Sequence, residues 1–169
     1  MERDSLMHIL GTSGKAGSGK TTLCRHIAHE ILDGTYGSPV LLSYTKFGGI
    51  DGVHSLLKKH LEKEFARLDE GGTETLVLID DIQFPSQVNH IHDWGGVVLF
   101  VCANGRLATP LDPIPESEKM AHEYTVGKST DIFDFCITNH KTEDIFKLEV
   151  SNFMHLFLGG DASYEADLF

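Results

Sequence analysis

G-T-S-G-K-A-G-S-G-K-T-T-L, running from Gly11 to Leu23, lies between an apolar run at residues 6–10 and a helical pattern that begins at Lys20. Within it Gly14, Gly19, Lys20 and Thr21 fill the pattern G-x-x-x-x-G-K-[ST]. Glycines let a backbone turn tightly and aim successive N–H groups inward, which makes a concave nest for an anion. A helix starting at the turn adds free N–H groups and the positive end of its dipole. The stretch therefore predicts a phosphate-binding loop built from Gly14, Lys15, Ala16, Gly17, Ser18, Gly19, Lys20, Thr21 and Thr22. In such a loop Lys20 reaches the β- and γ-phosphates of ATP, and Thr21 ligates Mg²⁺. A plain glycine-rich turn is the bland alternative, and the spacing and both flanks argue against it.

Working outward, apolar runs alternate with helical patterns, which predicts an α/β fold on a parallel sheet. Strands are expected at residues 6–10, 40–44, 76–79, 97–102 and 135–138. Helices are expected at 20–32, 53–68, 85–94, 116–124 and 142–158. In the second of these Val53, Leu56, Leu57, Leu61, Phe65 and Leu68 form one stripe, with Lys58, Lys59, Glu62 and Lys63 largely outside it. Residues 103–115 carry three prolines and a glycine and read as a loop.

The run L-V-L-I-D-D ends an apolar strand in Asp80 and Asp81. A carboxylate at the end of a buried strand beside a phosphate loop is placed to hold Mg²⁺, directly or through water, and either aspartate suits the role. Asp81 also suits a helix N-cap ahead of Pro85. Tyr44, Lys46, Phe47 and Asp51 are the candidates for an acceptor pocket in the region 44–75, with Asp51 alternatively a helix cap and Tyr44 read as core. Arg106 is the one arginine in the loop after the fourth strand, a stabiliser of transition-state charge or a solvated loop residue. Asn139 follows the last strand, where ligands of parallel sheets gather, and reads as an adenine neighbour or a turn residue.

These segments together resemble the phage-type deoxynucleoside monophosphate kinases of the adenylate-kinase-like branch of phosphate-loop kinases. The resemblance rests on G-K-A-G-S-G-K-T-T, I-D-D-I-Q-F-P-S-Q, W-G-G-V-V-L-F-V and D-F-C-I-T-N, in that order, and covers Ile9 to about Phe146. On it, Asp81 matches the family aspartate and Pro85 the family proline. It implies a three-layer phosphate-loop kinase fold: a five-stranded parallel sheet flanked by helices, with a short lid at about 103–118. Two departures stand out. Gln83 stands where the family segment has arginine, and the chain has only Arg3, Arg25, Arg67 and Arg106, although bidentate guanidinium is the usual clamp for a phosphoryl acceptor.

The expected activity is transfer of the γ-phosphate of ATP to a nucleotide-type acceptor, a deoxynucleoside monophosphate first. The catalytic set is then Lys20, Arg106, Asp51 and Asp81, with Thr21, Asp80 and Asp81 at the metal. Phosphorylation of a hydroxymethyl group on a modified base in phage DNA is the alternative, because a hydroxyl acceptor gains from a carboxylate that takes its proton. A non-kinase NTPase switch is the third reading.

Composition narrows the classes further. At 169 residues the chain reads as one kinase domain over 1–158 with a flexible acidic tail over 159–169. A formal charge of −11 disfavours a broad footprint on nucleic acid. No signal peptide or membrane span is expected, so the setting is cytoplasmic, host cytoplasm for a phage protein. Cys24, Cys102 and Cys136 read as reduced core thiols. His90 and His92 read as a surface turn or helix start rather than a zinc site. The terminal E-A-D-L-F resembles peptides that dock on sliding clamps, with simple disorder as the alternative.

Overall fold

The computed structural model describes residues 7–31, 39–69, 75–103, 113–128, 131–139 and 142–158. The Arg106 segment of the lid and the whole 159–169 tail, with its clamp-like peptide, lie outside the described residues.

Five strands form one parallel sheet in the order β2-β3-β1-β4-β5. They are β1 (Met7–Ser13), β2 (Val40–Leu42), β3 (Thr75–Ile82), β4 (Val97–Cys102) and β5 (Phe135–Thr138). The helices are α1 (Lys20–His26), α2 (Gly49–Asp69), α3 (Pro85–Asp93), α4 (Glu116–Thr125) and α5 (Glu143–Phe157). Burial on both faces explains why the central strands read as continuous apolar runs.

Side chains alternate across the sheet with the two-residue period of a strand. Leu10, Leu76, Leu78, Leu99 and Val101 pack with Leu23, Cys24 and Ile27 after α1, and with Phe146, Val150 and Met154 of α5. Ile9, Val77, Ile79, Val98 and Phe100 pack on the other face with Val53 and Leu57 of α2, Val88 and Ile91 of α3, and Met120 of α4. The result is the expected three-layer α/β/α arrangement. Phe100 and Phe133 stack with ring centroids 4.9 Å apart, which ties β4 to the chain entering β5.

Several boundaries differ from expectation. β1 runs on to Ser13 and β3 to Ile82, so polar residues extend both strands towards the loop end of the sheet. Thr12 and Ser13 tolerate burial because their hydroxyls donate to the carbonyls of Ile79 and Ile82 at 3.3 and 2.9 Å. β2 stops at Leu42, two residues early, since Tyr44 begins a turn. α2 begins at Gly49, so Asp51 lies inside its first turn instead of capping it. α1 passes into a π-helical turn over Ile27–Ile31 that no sequence period announced. The cysteine reading is corrected too: Cys24 is buried, Cys102 half-buried, and Cys136 is exposed on the edge strand β5.

Candidate functional site

The carboxyl end of β1 lies between β3 and β4, where the chain leaves the sheet in opposite directions on its two sides. Such a switch point is where open parallel sheets gather ligands. Residues 14–19 cross this end and lead directly into α1. Gly17 and Gly19 have φ of +77° and +104°, a region that side-chain-bearing residues rarely adopt. At Gly19 a Cβ would also run into Asn139 Nδ2, so glycine is required there on two counts.

Asn139 holds the loop from the far end of the sequence. Its Nδ2 donates to Ser18 O at 2.8 Å, and its own N–H donates to Cys102 O at 2.6 Å. The side chain is buried and fixes the turn, so the structure gives Asn139 a role in shaping the loop. Ser18 N–H donates to Lys15 O at 3.1 Å, and Ser18 Oγ is buried with no hydrogen-bond partner.

Lys20 stands in the first turn of α1, half-buried, with Nζ donating to Gly14 O at 2.7 Å and Lys15 O at 2.9 Å. Burial lowers its pKa, and the carboxylates of Glu118 and Asp80 work against that shift. The ammonium group thus sits over the loop and within the field of Asp80. Thr21 and Thr22 are exposed beside it at the start of α1, and Ala16 and Gly17 are exposed at the crest of the loop. One loop amide already takes an anionic oxygen: Ala16 N–H donates to Glu118 Oε1 of α4 at 3.3 Å.

The two aspartates part ways at an irregularity in the sheet. Gly11 pairs with Ile79 and Ser13 with Ile82, so Thr12 alone faces both Asp80 and Asp81. An extra residue of this kind re-aims side chains beside it. Asp81 accepts three hydrogen bonds from the turn after β2: from Ser43 Oγ at 2.7 Å, Tyr44 N at 2.8 Å and Thr45 N at 2.8 Å. It therefore braces that turn. It caps no helix, because Gln87 Oε1 takes the N–H groups of Gln83 and Phe84 at the start of α3.

Asp80 has a different setting. Its carboxylate lies in the field of Lys46 and Lys20. Burial, then repulsion from Asp81, raises its pKa, and the two lysines offset part of that. A half-buried carboxylate flanked by two ammonium groups, with few hydrogen bonds, suits a divalent cation better than the fully engaged Asp81 does.

On the acceptor side Lys46 and Phe47 are exposed in the turn after β2, and Asp51 is exposed in the first turn of α2. Tyr44 is core, 2% exposed. Its hydroxyl meets His90 Nδ1 at 2.9 Å, His90 Nε2 meets His54 Nδ1 at 3.3 Å, and Trp94 Nε1 donates to His54 Nδ1 at 3.3 Å. Sequence reasoning missed this chain; the only available sign was that His54, His90 and Trp94 fall on two adjacent helical patterns. His90 is therefore a buried residue in the last turn of α3, not a surface one. His92 is exposed and meets Asp134 Oδ2 at 2.8 Å. Among the described residues no group of three or more His, Cys, Asp or Glu is arranged to hold a metal ion by protein ligands alone. No described helix is long and apolar enough to cross a membrane.

No protein-family model matches the sequence, and no curated protein matches it. Among solved structures, shikimate kinase from Acinetobacter baumannii in complex with shikimate aligns with a TM-score of 0.48 and 17% identity, over 92% of this chain and 94% of that one. Dephospho-CoA kinase from Campylobacter jejuni aligns with a TM-score of 0.43 and 11% identity, over 91% of this chain and 98% of that one.

Proposed function

We propose that the chain is an ATP- and Mg²⁺-dependent phosphotransferase acting on a nucleotide-type acceptor, a deoxynucleoside monophosphate first. One observation carries the reading: a positive-φ glycine loop at the carboxyl end of the central strand, with Lys20 folded over it and an amide already engaged by a carboxylate. A loop that accepts one anionic oxygen from its own chain has the chemistry to accept phosphate oxygens.

The backbone N–H groups of Ala16, Gly17, Gly19, Lys20, Thr21 and Thr22 would cradle the phosphates, while Ser18 N–H stays with Lys15 O and holds the turn. Lys20 Nζ exchanges the carbonyls of Gly14 and Lys15 for β- and γ-phosphate oxygens, a stronger pairing because those oxygens are charged. Thr21 and Asp80 would hold Mg²⁺, which neutralises charge on the β- and γ-oxygens. Asp81 acts at a distance, by holding the turn that carries Lys46 towards the acceptor. An acceptor that is already an anion needs no base, so positioning and charge neutralisation supply the rate.

A second reading, transfer to a hydroxyl such as a hydroxymethyl group on a modified base in DNA, is favoured by the acceptor side. There the described residues offer Lys46 and Asp51, while Arg25 lies in α1 and Arg67 pairs with Glu64 in α2 at 2.8 Å. Guanidinium is the usual partner of an acceptor phosphate. Purified protein with Mg²⁺ and γ-labelled ATP, screened against the deoxynucleoside monophosphates, nucleosides and hydroxymethylated DNA, separates the two. Label on a monophosphate supports the first reading, and label on DNA alone supports the second. Hydrolysis that no acceptor stimulates returns the chain to the NTPase class.

A further inference from the structure

The contact between α4 and the phosphate loop has a direction that the phosphotransferase reading does not use. Glu118 stands in the first turn of α4, 102 positions along the chain from the Ala16 amide it touches. Its Oε1 accepts from Ala16 N–H, and it is the largest of the charges that favour the ammonium form of Lys20. The carboxylate therefore occupies a loop amide that a phosphate would take, and its charge favours the ammonium form of the loop lysine from a distance. Glu118 is half-buried and begins where Pro115 O takes its own N–H at 2.9 Å, so its backbone is already fixed by the turn of the helix. Neighbouring Glu116 and Lys119 are exposed and pair with each other at 3.6 Å, leaving Glu118 as the α4 carboxylate directed at the loop.

We propose that Glu118 is a built-in competitor for the phosphate loop. It neutralises the empty loop, and an arriving polyphosphate displaces it, so that α4 is released as the loop fills. A carboxylate and a phosphate cannot share one amide donor, and two anions side by side repel. α4 is thereby coupled to occupancy of the loop. This proposal rests on the phosphate-binding reading of residues 14–22.

The test uses tripolyphosphate without magnesium, so that any role of Glu118 at a metal does not enter. Calorimetry compares the wild type with Glu118→Gln and Glu118→Ala. Both variants are expected to bind tripolyphosphate about five- to tenfold more tightly, the size of one long, exposed hydrogen bond of ordinary strength no longer to be broken. Weaker binding by Glu118→Gln, or binding equal to the wild type, overturns the proposal. Wild type that binds no tripolyphosphate overturns it as well, and identifies the loop reading as the failed step. A second measurement follows the Ala16 amide resonance. It should differ between wild type and Glu118→Gln in the empty proteins and coincide once tripolyphosphate is bound. A difference that persists in the bound proteins means that Glu118 never leaves, and a resonance insensitive to the substitution in the empty protein means that the contact is not made in solution; either result refutes the displacement.

Discussion

Replacing Asp81 should damage the fold, while replacing Asp80 should damage only binding. Asp81 accepts from Ser43 Oγ, Tyr44 N and Thr45 N at 2.7, 2.8 and 2.8 Å. Ser43 and Tyr44 are 5% and 2% exposed, so water cannot readily replace the carboxylate for those two donors, whereas exposed Thr45 recovers a partner from solvent. A hydrogen bond to a charged group contributes about 1.5–3 kcal/mol, so Asp81→Ala should cost about 3–6 kcal/mol from the two buried donors alone. For a chain of this size each kcal/mol shifts Tm by about 2–4 °C, so the fall should be at least about 6 °C. Asp80 braces no neighbouring turn and faces repulsion from Asp81, so Asp80→Asn should keep Tm within about 2 °C of wild type. Thermal melts followed by circular dichroism, without nucleotide, give both values. Asp81→Ala melting with the wild type, or Asp80→Asn falling as far as Asp81→Ala, would show that the division of labour between the two carboxylates is wrong. The complementary readout is magnesium: the Mg²⁺ dependence of ATP binding should vanish in Asp80→Asn.

Other substitutions read the loop and its supports. Gly19→Ala should lower ATP affinity more than Gly17→Ala: both carry positive φ, at a cost of about 1–2 kcal/mol each, but only Gly19 would also push Asn139 aside. Titration calorimetry on both variants checks the order, and equal losses would refute the Asn139 contact. Asn139→Asp should weaken ATP binding more than Asn139→Ala, because a carboxylate cannot donate to Ser18 O and repels it; the loss of the bond alone is about 1–3 kcal/mol. For His90, burial and then His54 lower the pKa from 6.5, with Asp93 and Asp51 partly opposing. Its stabilising contribution is therefore whole above the ordinary value and is lost as pH falls through the lowered folded value, at no more than about 1.4 kcal/mol per pH unit. Melts from pH 7.5 down to 5 should fall less steeply in His90→Gln than in wild type, and parallel slopes would remove His90 from the account.

The sheet was legible because its chemistry is local. Uninterrupted apolar runs such as V-V-L-F-V-C announce strands buried on both faces, and β4 and β5 fall where those runs fall. The phosphate loop was legible because glycine spacing and its flanking elements constrain each other. What hid was whatever depends on tertiary pairing. Thr12 and Ser13 look like loop residues until β3 supplies carbonyls for their hydroxyls. Asp80 and Asp81 are interchangeable on paper, and a mismatch in strand register separates them. Asn139 reads as a turn residue, and only the approach of β5 to the loop reveals its contact with Ser18 O across 121 positions. Glu118 and the Tyr44–His90–His54–Trp94 chain are likewise products of tertiary packing, of a helix on the loop and of a turn on two helices, for which no short sequence spacing is diagnostic.

Phosphotransfer by this chain requires that the loop after β1 grip a polyphosphate through Lys20. Calorimetric titration of Mg²⁺-ATP into the intact protein should give one saturating binding event that Lys20→Ala removes while leaving the thermal melt unchanged. A wild-type protein that releases no binding heat with ATP or GTP, or a Lys20→Ala variant that binds as tightly as wild type, would contradict it.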